Sequence, residues 1–220
     1  MSLIALRSRL VDRLEPVGGW SPDDGARRSD YDLNPGFPRQ DRTLRPAAVL
    51  VPIIAHASGA TVLLTRRADT LTSHSGQIAF PGGRLDPGET AVEAALREAW
   101  EEVALAPAAV EVLGLSETYE TGTGFLITPV IGWLSEAPSV LAQPSEVADI
   151  FEVPWDFLMD VANHRRDNLD FIDGGRRWFW AMPWEERYIW GVTAAIIRSL
   201  RTRLYGEALD PAAAITDDAA

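Results

Sequence analysis

Three carboxylates, Glu98, Glu101 and Glu102, lie within five consecutive residues. On a helix, at about 100° per residue, they fall inside an arc of about 100° and can converge on one point. Like charges held this close are costly unless a cation lies among them, and carboxylate oxygens suit one or two hard divalent ions. The chain has no cysteine, so thiolate sites are excluded and Mg²⁺ or Mn²⁺ is the expected ion. Three carboxylates alone read first as a solvated acidic face. Ahead of them, though, runs Gly82-Gly83-Arg84-Leu85-Asp86-Pro87-Gly88-Glu89, where a backbone carbonyl can turn toward a cation and phosphate oxygens can approach closely. Loop and helix together read as one constellation, a metal site open to phosphate oxygens.

The helix that carries these groups is well signposted. Thr90 and Glu93 have the spacing of a capping box, and Pro107 is the expected stop. Val92, Ala95, Leu96, Ala99 and Val103 form the stripe expected to be buried. Leu3, Leu6, Leu10 and Leu14 predict an amphipathic N-terminal helix ending before Pro16, and Val17 to Arg45 reads as an irregular connector without chemistry. Ala47–Ala55 and Thr61–Thr65 read as a hairpin across Ser58-Gly59. Further strands are expected at Gln77–Phe80, Val110–Tyr119, Phe125–Trp133 and Asp149–Val153, and a hairpin from Leu169 to Trp180 around Asp173-Gly174-Gly175. Gly191–Leu204 reads as a C-terminal helix. Strands on both sides of a central helix predict an α/β or α+β fold with a mixed sheet between helices.

With 32 acidic and 20 basic residues the net charge is −12, the wrong sign for gripping a long nucleic acid by counterion release. A small anionic substrate stays compatible, because a bound cation supplies local positive charge. No apolar run reaches the roughly 18 residues of a membrane span, and the start is too charged for a secretory signal, so a cytoplasmic protein is expected. At 220 residues one main domain is expected: residues 1–46 as helix and connector, 47–205 as the domain, and 206–220 as a disordered tail.

The spacing resembles the Nudix box: glycine, five residues, Glu, seven residues, Arg-Glu, an apolar residue, any residue, Glu-Glu, any residue, glycine. Gly83, Glu89, Arg97, Glu98, Glu101 and Glu102 fall in register, Ala99 fills the apolar position, and Ala104 stands where the pattern has its late glycine. The resemblance implies a Nudix-type α/β/α sandwich. It implies that Glu98, Glu101 and Glu102 hold Mg²⁺ or Mn²⁺, with Gly83 or its neighbour lending a carbonyl, and that Arg97 pairs with Glu89. An ordinary helical pair of Arg97 with Glu93 is the simpler alternative. Nudix members differ in their base; Glu101 is the first candidate and Glu146, in Gln143-Pro144-Ser145-Glu146, the second.

Leu63-Leu64-Thr65-Arg66-Arg67-Ala68, Gly76 and Phe80-Pro81-Gly82-Gly83 are similar to the additional signature of the coenzyme A pyrophosphatase branch. That resemblance implies hydrolysis of CoA or its derivatives to 3′,5′-ADP and 4′-phosphopantetheine, with Arg66, Arg67 and Gly82 at the substrate. The alternative for Arg66-Arg67 is plain strand-end charge. The signature's second arginine falls at Thr72, which keeps open a Nudix hydrolase for ADP-ribose or a dinucleotide; a Nudix-like binding module without turnover is the third reading. Trp178, Phe179, Trp180, Trp184 and Trp190 read as core, base-stacking or dimer-interface residues, leaving a homodimer open. His56, His74 and His164 read as structural or surface residues.

Overall fold

A computed structural model of the chain describes residues 1–21, 24–39, 41–70, 75–170 and 175–207. The chain runs α1 (Leu3–Arg13), β1 (Arg28–Ser29), β2 (Arg45–His56), β3 (Gly59–Arg67), β4 (Ile78–Ala79), β5 (Gly82–Arg84), α2 (Ala91–Val103), β6 (Glu111–Leu115), β7 (Tyr119–Glu120) and β8 (Phe125–Leu134). It continues through β9 (Val147–Pro154), α3 (Trp155–Met159), β10 (Arg165–Asp170), β11 (Arg176–Trp184), β12 (Arg187–Trp190) and α4 (Val192–Tyr205).

β2 is apolar almost throughout because both its faces are covered. It pairs in parallel with β8 from Arg45↔Phe125 to Ile54↔Leu134. Its other edge is shared by β5 at Ala47–Val49 and β3 at Ile53–His56, both antiparallel. β3 carries β9 on its far edge, and β6, β7 and β1 extend the sheet beyond β8. Even-numbered Ala48, Leu50 and Ile54 meet Ala94, Ala95, Ala99 and Val103 of α2 on one face. Odd-numbered Val51 and Ile53 meet α1, α3 and α4 on the other through Leu10, Leu158, Ile196 and Leu200. This is the expected mixed sheet between helices, built by a side-chain period of two on one strand.

Several details depart from the expectations. α2 stops at Val103, four residues before Pro107, which instead opens a short 3-10 turn. Its buried stripe is Ala91, Ala94, Ala95, Ala99 and Val103, with Val92 and Leu96 only half-buried. The connector contains a short strand, β1, that pairs with β7. β10, β11 and β12 form a separate antiparallel sheet; β12 and α3 had no signal in the pattern. The turn Asp173-Gly174 and most of the 206–220 segment lie outside the described residues.

Candidate functional site

Two elements build the site. β5 lies against β2 with Gly83 opposite Ala48 and Gly82 opposite Val49, a pairing that sets the glycine loop beside α2. A side chain at Gly82 would place its Cβ 2.4 Å from the Ala48 carbonyl oxygen, and one at Gly83 would lie 2.2 Å from Oε1 of Glu98. Both positions therefore need glycine, the first for backbone packing and the second to leave room for a carboxylate. α2 begins at Thr90, whose hydroxyl accepts from the Glu93 amide at 3.2 Å while Glu93 accepts from the Thr90 amide at 2.8 Å. That reciprocal cap fixes where the helix starts, and hence the azimuth of every glutamate after it.

Arg97 ties the loop to the helix. Its Nε and Nη2 donate to the two carboxylate oxygens of Glu89 at 2.9 and 3.0 Å, and Nη2 also donates to the Arg84 carbonyl at 3.1 Å. Nη1 donates to Glu98 and to Glu101, each at 3.0 Å. The pair with Glu89 is present as the resemblance implied; Glu93 is instead engaged with Thr90. The Arg97 hydrogen bonds hold the Glu89 carboxyl below its ordinary pKa and raise that of the guanidinium.

Glu102 is 4% exposed, so the acidic face is not a solvated one at this position. Burial pushes its pKa up to about 7, against the opposing hydrogen bond from the Gly82 amide to its Oε2 at 3.3 Å. Glu98 is also raised, because burial outweighs its bond to Arg97. Glu146 faces the same region. The backbone amides of Leu141 and Gln143 donate to the Val103 and Glu102 carbonyls at the end of α2, and the Ala68 amide donates to the Glu146 carbonyl. Those bonds pin the loop so that the Glu146 charge raises the pKa of both Glu98 and Glu102.

These carboxylates are hard oxygen donors of the kind Mg²⁺ and Mn²⁺ take, and a buried carboxyl near neutrality gains most from an adjacent cation. Their chemistry fits a divalent ion. In the present rotamers Glu98 and Glu101 turn toward Arg97, and among the described residues no three His, Cys, Asp or Glu side chains are gathered around one point. A ligand set of these three carboxylates would need side-chain rotation.

At the end of β3, Arg67 reaches toward the same cluster. Its Nη1 lies 4.0 Å from Glu102 Oε1, and its Nε is buried without a hydrogen-bond partner among the described residues. Arg66 points elsewhere and pairs with Asp69 at 2.9 Å. Thr72 and His74 lie outside the described residues. His164 is buried, donates from Nε2 to the Leu158 carbonyl at 2.7 Å, and has its pKa lowered to about 4 by burial; His56 is half-buried and contacts Glu152 at 2.6 Å.

The aromatic cluster divides. Trp184 stacks on Phe151 and packs on the core, while Phe179 meets Trp190 at 5.0 Å between ring centres. Trp178 and Trp180, with Tyr119 and Arg28, line a cavity of about 290 Å³ beneath α4. The connector contributes Asp30, which accepts from the Tyr119 hydroxyl at 2.9 Å, the Gly122 amide at 2.7 Å and Arg177 at 2.5 Å. Sequence reading assigned the connector no role; its Asp/Arg-rich composition was the only hint. Among the described residues no helix is long and apolar enough to cross a membrane.

A profile described as the NUDIX domain matches residues 44–173. The chain is 42% identical over 156 residues to an uncharacterized Nudix hydrolase NudL of Yersinia enterocolitica, covering 70% of this chain and 78% of that protein. A protein of the same description from Pectobacterium atrosepticum is 38% identical over 191 residues, covering 86% of this chain and 97% of the other. A solved MutT/nudix family protein from Enterococcus faecalis aligns with TM-score 0.45 and 16% identity, covering 76% of this chain and 64% of that one. Nudix hydrolases generally use divalent metal ions. The matched profile spans more than half of this sequence, glycine loop, Arg97 and acidic helix included, and the chain belongs to the Nudix hydrolases, enzymes acting on phosphorus-containing anhydrides.

Proposed function

We propose that this Nudix hydrolase cleaves the diphosphate of CoA or a CoA derivative, adding water to give 3′,5′-ADP and the 4′-phosphopantetheine fragment. The observation that carries the reading is Arg67: a guanidinium 4.0 Å from Glu102 with a buried Nε that has no partner among the described residues, at the end of the Leu-Leu-Thr-Arg strand that resembles the CoA pyrophosphatase signature. Such a donor is suited to a diphosphate oxygen. Arg66, one residue before it on the strand, faces the other way and is paired with Asp69 at 2.9 Å.

In this reading Glu98, Glu101 and Glu102 hold Mg²⁺ or Mn²⁺, with a carbonyl from Gly83 or its neighbour. When bound, the ion supplies positive charge against the diphosphate oxygens and acidity to the attacking water. Gly82 and Gly83 leave the loop bare, so a phosphate can approach the backbone. Arg97 and Glu89 orient the acidic helix against that loop. Glu101 takes the proton of the water, with Glu146 the second candidate. Retention of all the box carboxylates supports turnover over a binding module that has lost it.

The test is incubation of the purified protein with CoA and either metal, with products identified by mass. Formation of 3′,5′-ADP and 4′-phosphopantetheine is the expected result. Cleavage of ADP-ribose or a dinucleotide with CoA left intact would replace the CoA reading by another nucleoside diphosphate derivative. An inert protein across that panel would bring the binding-module reading forward.

A further inference from the structure

The sheet face opposite α2 carries two arginines that the acidic site does not use. Arg45 stands opposite Phe125 across β2 and β8, and Ala47, two residues on, stands opposite Arg84 of β5. Because side chains on a strand repeat every two residues, Arg45, Ala47, Arg84 and Phe125 share one face. The contacts agree: the guanidinium carbon of Arg45 lies 3.9 Å from the centre of the Phe125 ring, and that of Arg84 lies 5.4 Å from it.

Among the described residues neither guanidinium has a carboxylate partner. Arg45 donates from Nη2 to the Thr123 carbonyl at 2.9 Å, and the Arg84 side chain makes no hydrogen bond or ion pair with a described residue. In a chain of net charge −12 with 32 acidic side chains, two cations held over one ring without a counter-ion among the described residues are unusual. Mutual repulsion opposes the arrangement, and a ring contact is worth only about 0.5–1 kcal/mol at an exposed position. A bound dianion removes the repulsion and takes several charge-assisted hydrogen bonds. Arg84 is also the residue directly after Gly82-Gly83, and its carbonyl is held by Arg97, so the pair sits one residue from the loop beside the acidic helix.

We propose that Arg45 and Arg84, held over Phe125, form a binding site for a phosphomonoester of the nucleotide substrate, separate from the diphosphate that is cut. This rests on the reading that the chain hydrolyses a nucleoside diphosphate derivative, and it names what selects among them: a ribose that carries a phosphate over one that carries a hydroxyl. It also divides the arginines by task, Arg67 toward the scissile diphosphate and Arg45 with Arg84 toward the monoester.

Calorimetric titration with 3′,5′-ADP and with 5′-AMP tests this without turnover, since the two differ only by the 3′-phosphate. The wild-type protein is expected to prefer 3′,5′-ADP, and Arg45→Gln and Arg84→Gln are each expected to reduce that preference by about tenfold, the worth of one charge-assisted hydrogen bond. Phe125→Leu, which keeps an apolar side chain but removes the ring face, should reduce it by a smaller factor. Inorganic phosphate that competes equally with 3′,5′-ADP and 5′-AMP would mean an unspecific anion site and overturn the proposal. So would a preference that survives in both arginine variants. Kinetics separate this proposal from the parent reading: if wild-type protein cuts CoA and dephospho-CoA equally well, the CoA reading stands and the monoester site falls. If it cuts neither yet still binds 3′,5′-ADP through Arg45 and Arg84, the monoester site stands and the CoA reading falls.

Discussion

Arg97 grips Glu89 through two parallel hydrogen bonds at 2.9 and 3.0 Å, eight residues apart in sequence and on opposite sides of the junction between loop and helix. The same guanidinium reaches Glu98 and Glu101, so one side chain sets the loop and two of the candidate ligands together. Arg97→Lys keeps the charge but loses the planar fork. Its hydrolytic rate is expected to fall about 10–100-fold, the usual cost of disturbing a group that orients ligands, with far-UV circular dichroism unchanged. Full activity in the lysine variant would mean that the fork is dispensable.

The buried carboxyl of Glu102 makes the metal-free protein sensitive to pH. Its folded pKa is about 7 against an ordinary 4.5, so the native state keeps a proton that the unfolded chain gives up. The sign follows: stability is unaffected below about pH 4.5, falls as pH rises through the window to 7, and then levels off, with a total loss on the order of 3 kcal/mol. Glu102→Gln, measured in chelator, should melt several degrees higher than wild type at pH 8 and lack this slope, while losing most metal-dependent activity. An unchanged turnover at saturating Mg²⁺ would remove Glu102 from the metal site.

Gly82 and Gly83 should respond differently to alanine although they are neighbours. The added Cβ at Gly82 meets backbone at 2.4 Å, while at Gly83 it meets the movable end of Glu98. Gly82→Ala is expected to cost about 1–3 kcal/mol in denaturant unfolding. Gly83→Ala should unfold near the wild-type midpoint and instead raise the Mg²⁺ concentration needed for half-maximal rate. Equal loss of stability in the two would contradict the geometry.

Ala104 caps α2 at φ 54 and ψ 27, a left-handed conformation that costs a non-glycine residue about 1–2 kcal/mol. This is the position where the Nudix pattern has glycine. Ala104→Gly is expected to raise the melting temperature by about 2–4 °C for each kcal/mol relieved. A lower melting temperature would show that the left-handed cap is not the populated state.

The choice of base is open to a direct comparison. Glu101→Gln should abolish the acidic limb of the pH–rate profile if Glu101 takes the proton, and Glu146→Gln should leave that limb in place. The opposite pattern would assign the proton to Glu146.

The elements around the site were legible in sequence because their signals are local. The capping box at Thr90 and Glu93 and the spacing of Glu98, Glu101 and Glu102 depend on residues within one or two helical turns. The helix end was misplaced by four residues: Pro107 is a visible breaker, whereas a left-handed alanine carries no mark beyond the missing glycine. Burial of Glu102 was also hidden, since it follows from the pairing of β5 with β2 and not from the helix itself. Arg45, Arg84 and Phe125 are brought together by two strand registers, and no spacing along the chain announces a register. Asp30 escaped for the same reason, its partners Tyr119, Gly122 and Arg177 being distant in sequence.

The longest pairing in the sheet joins Arg45 to Phe125 and Ile54 to Leu134, strands about eighty residues apart. Contacts of such separation are slow to form, because the chain between them must lose its freedom before the pairing rewards it. The glycine loop and α2 both lie inside that span. The helix can coil early on its own cap, but its glutamates meet the loop only after β5 has found β2. Refolding should therefore recover helical signal before hydrolytic competence, and the interval between them is the time the chain takes to close around its own catalytic segment.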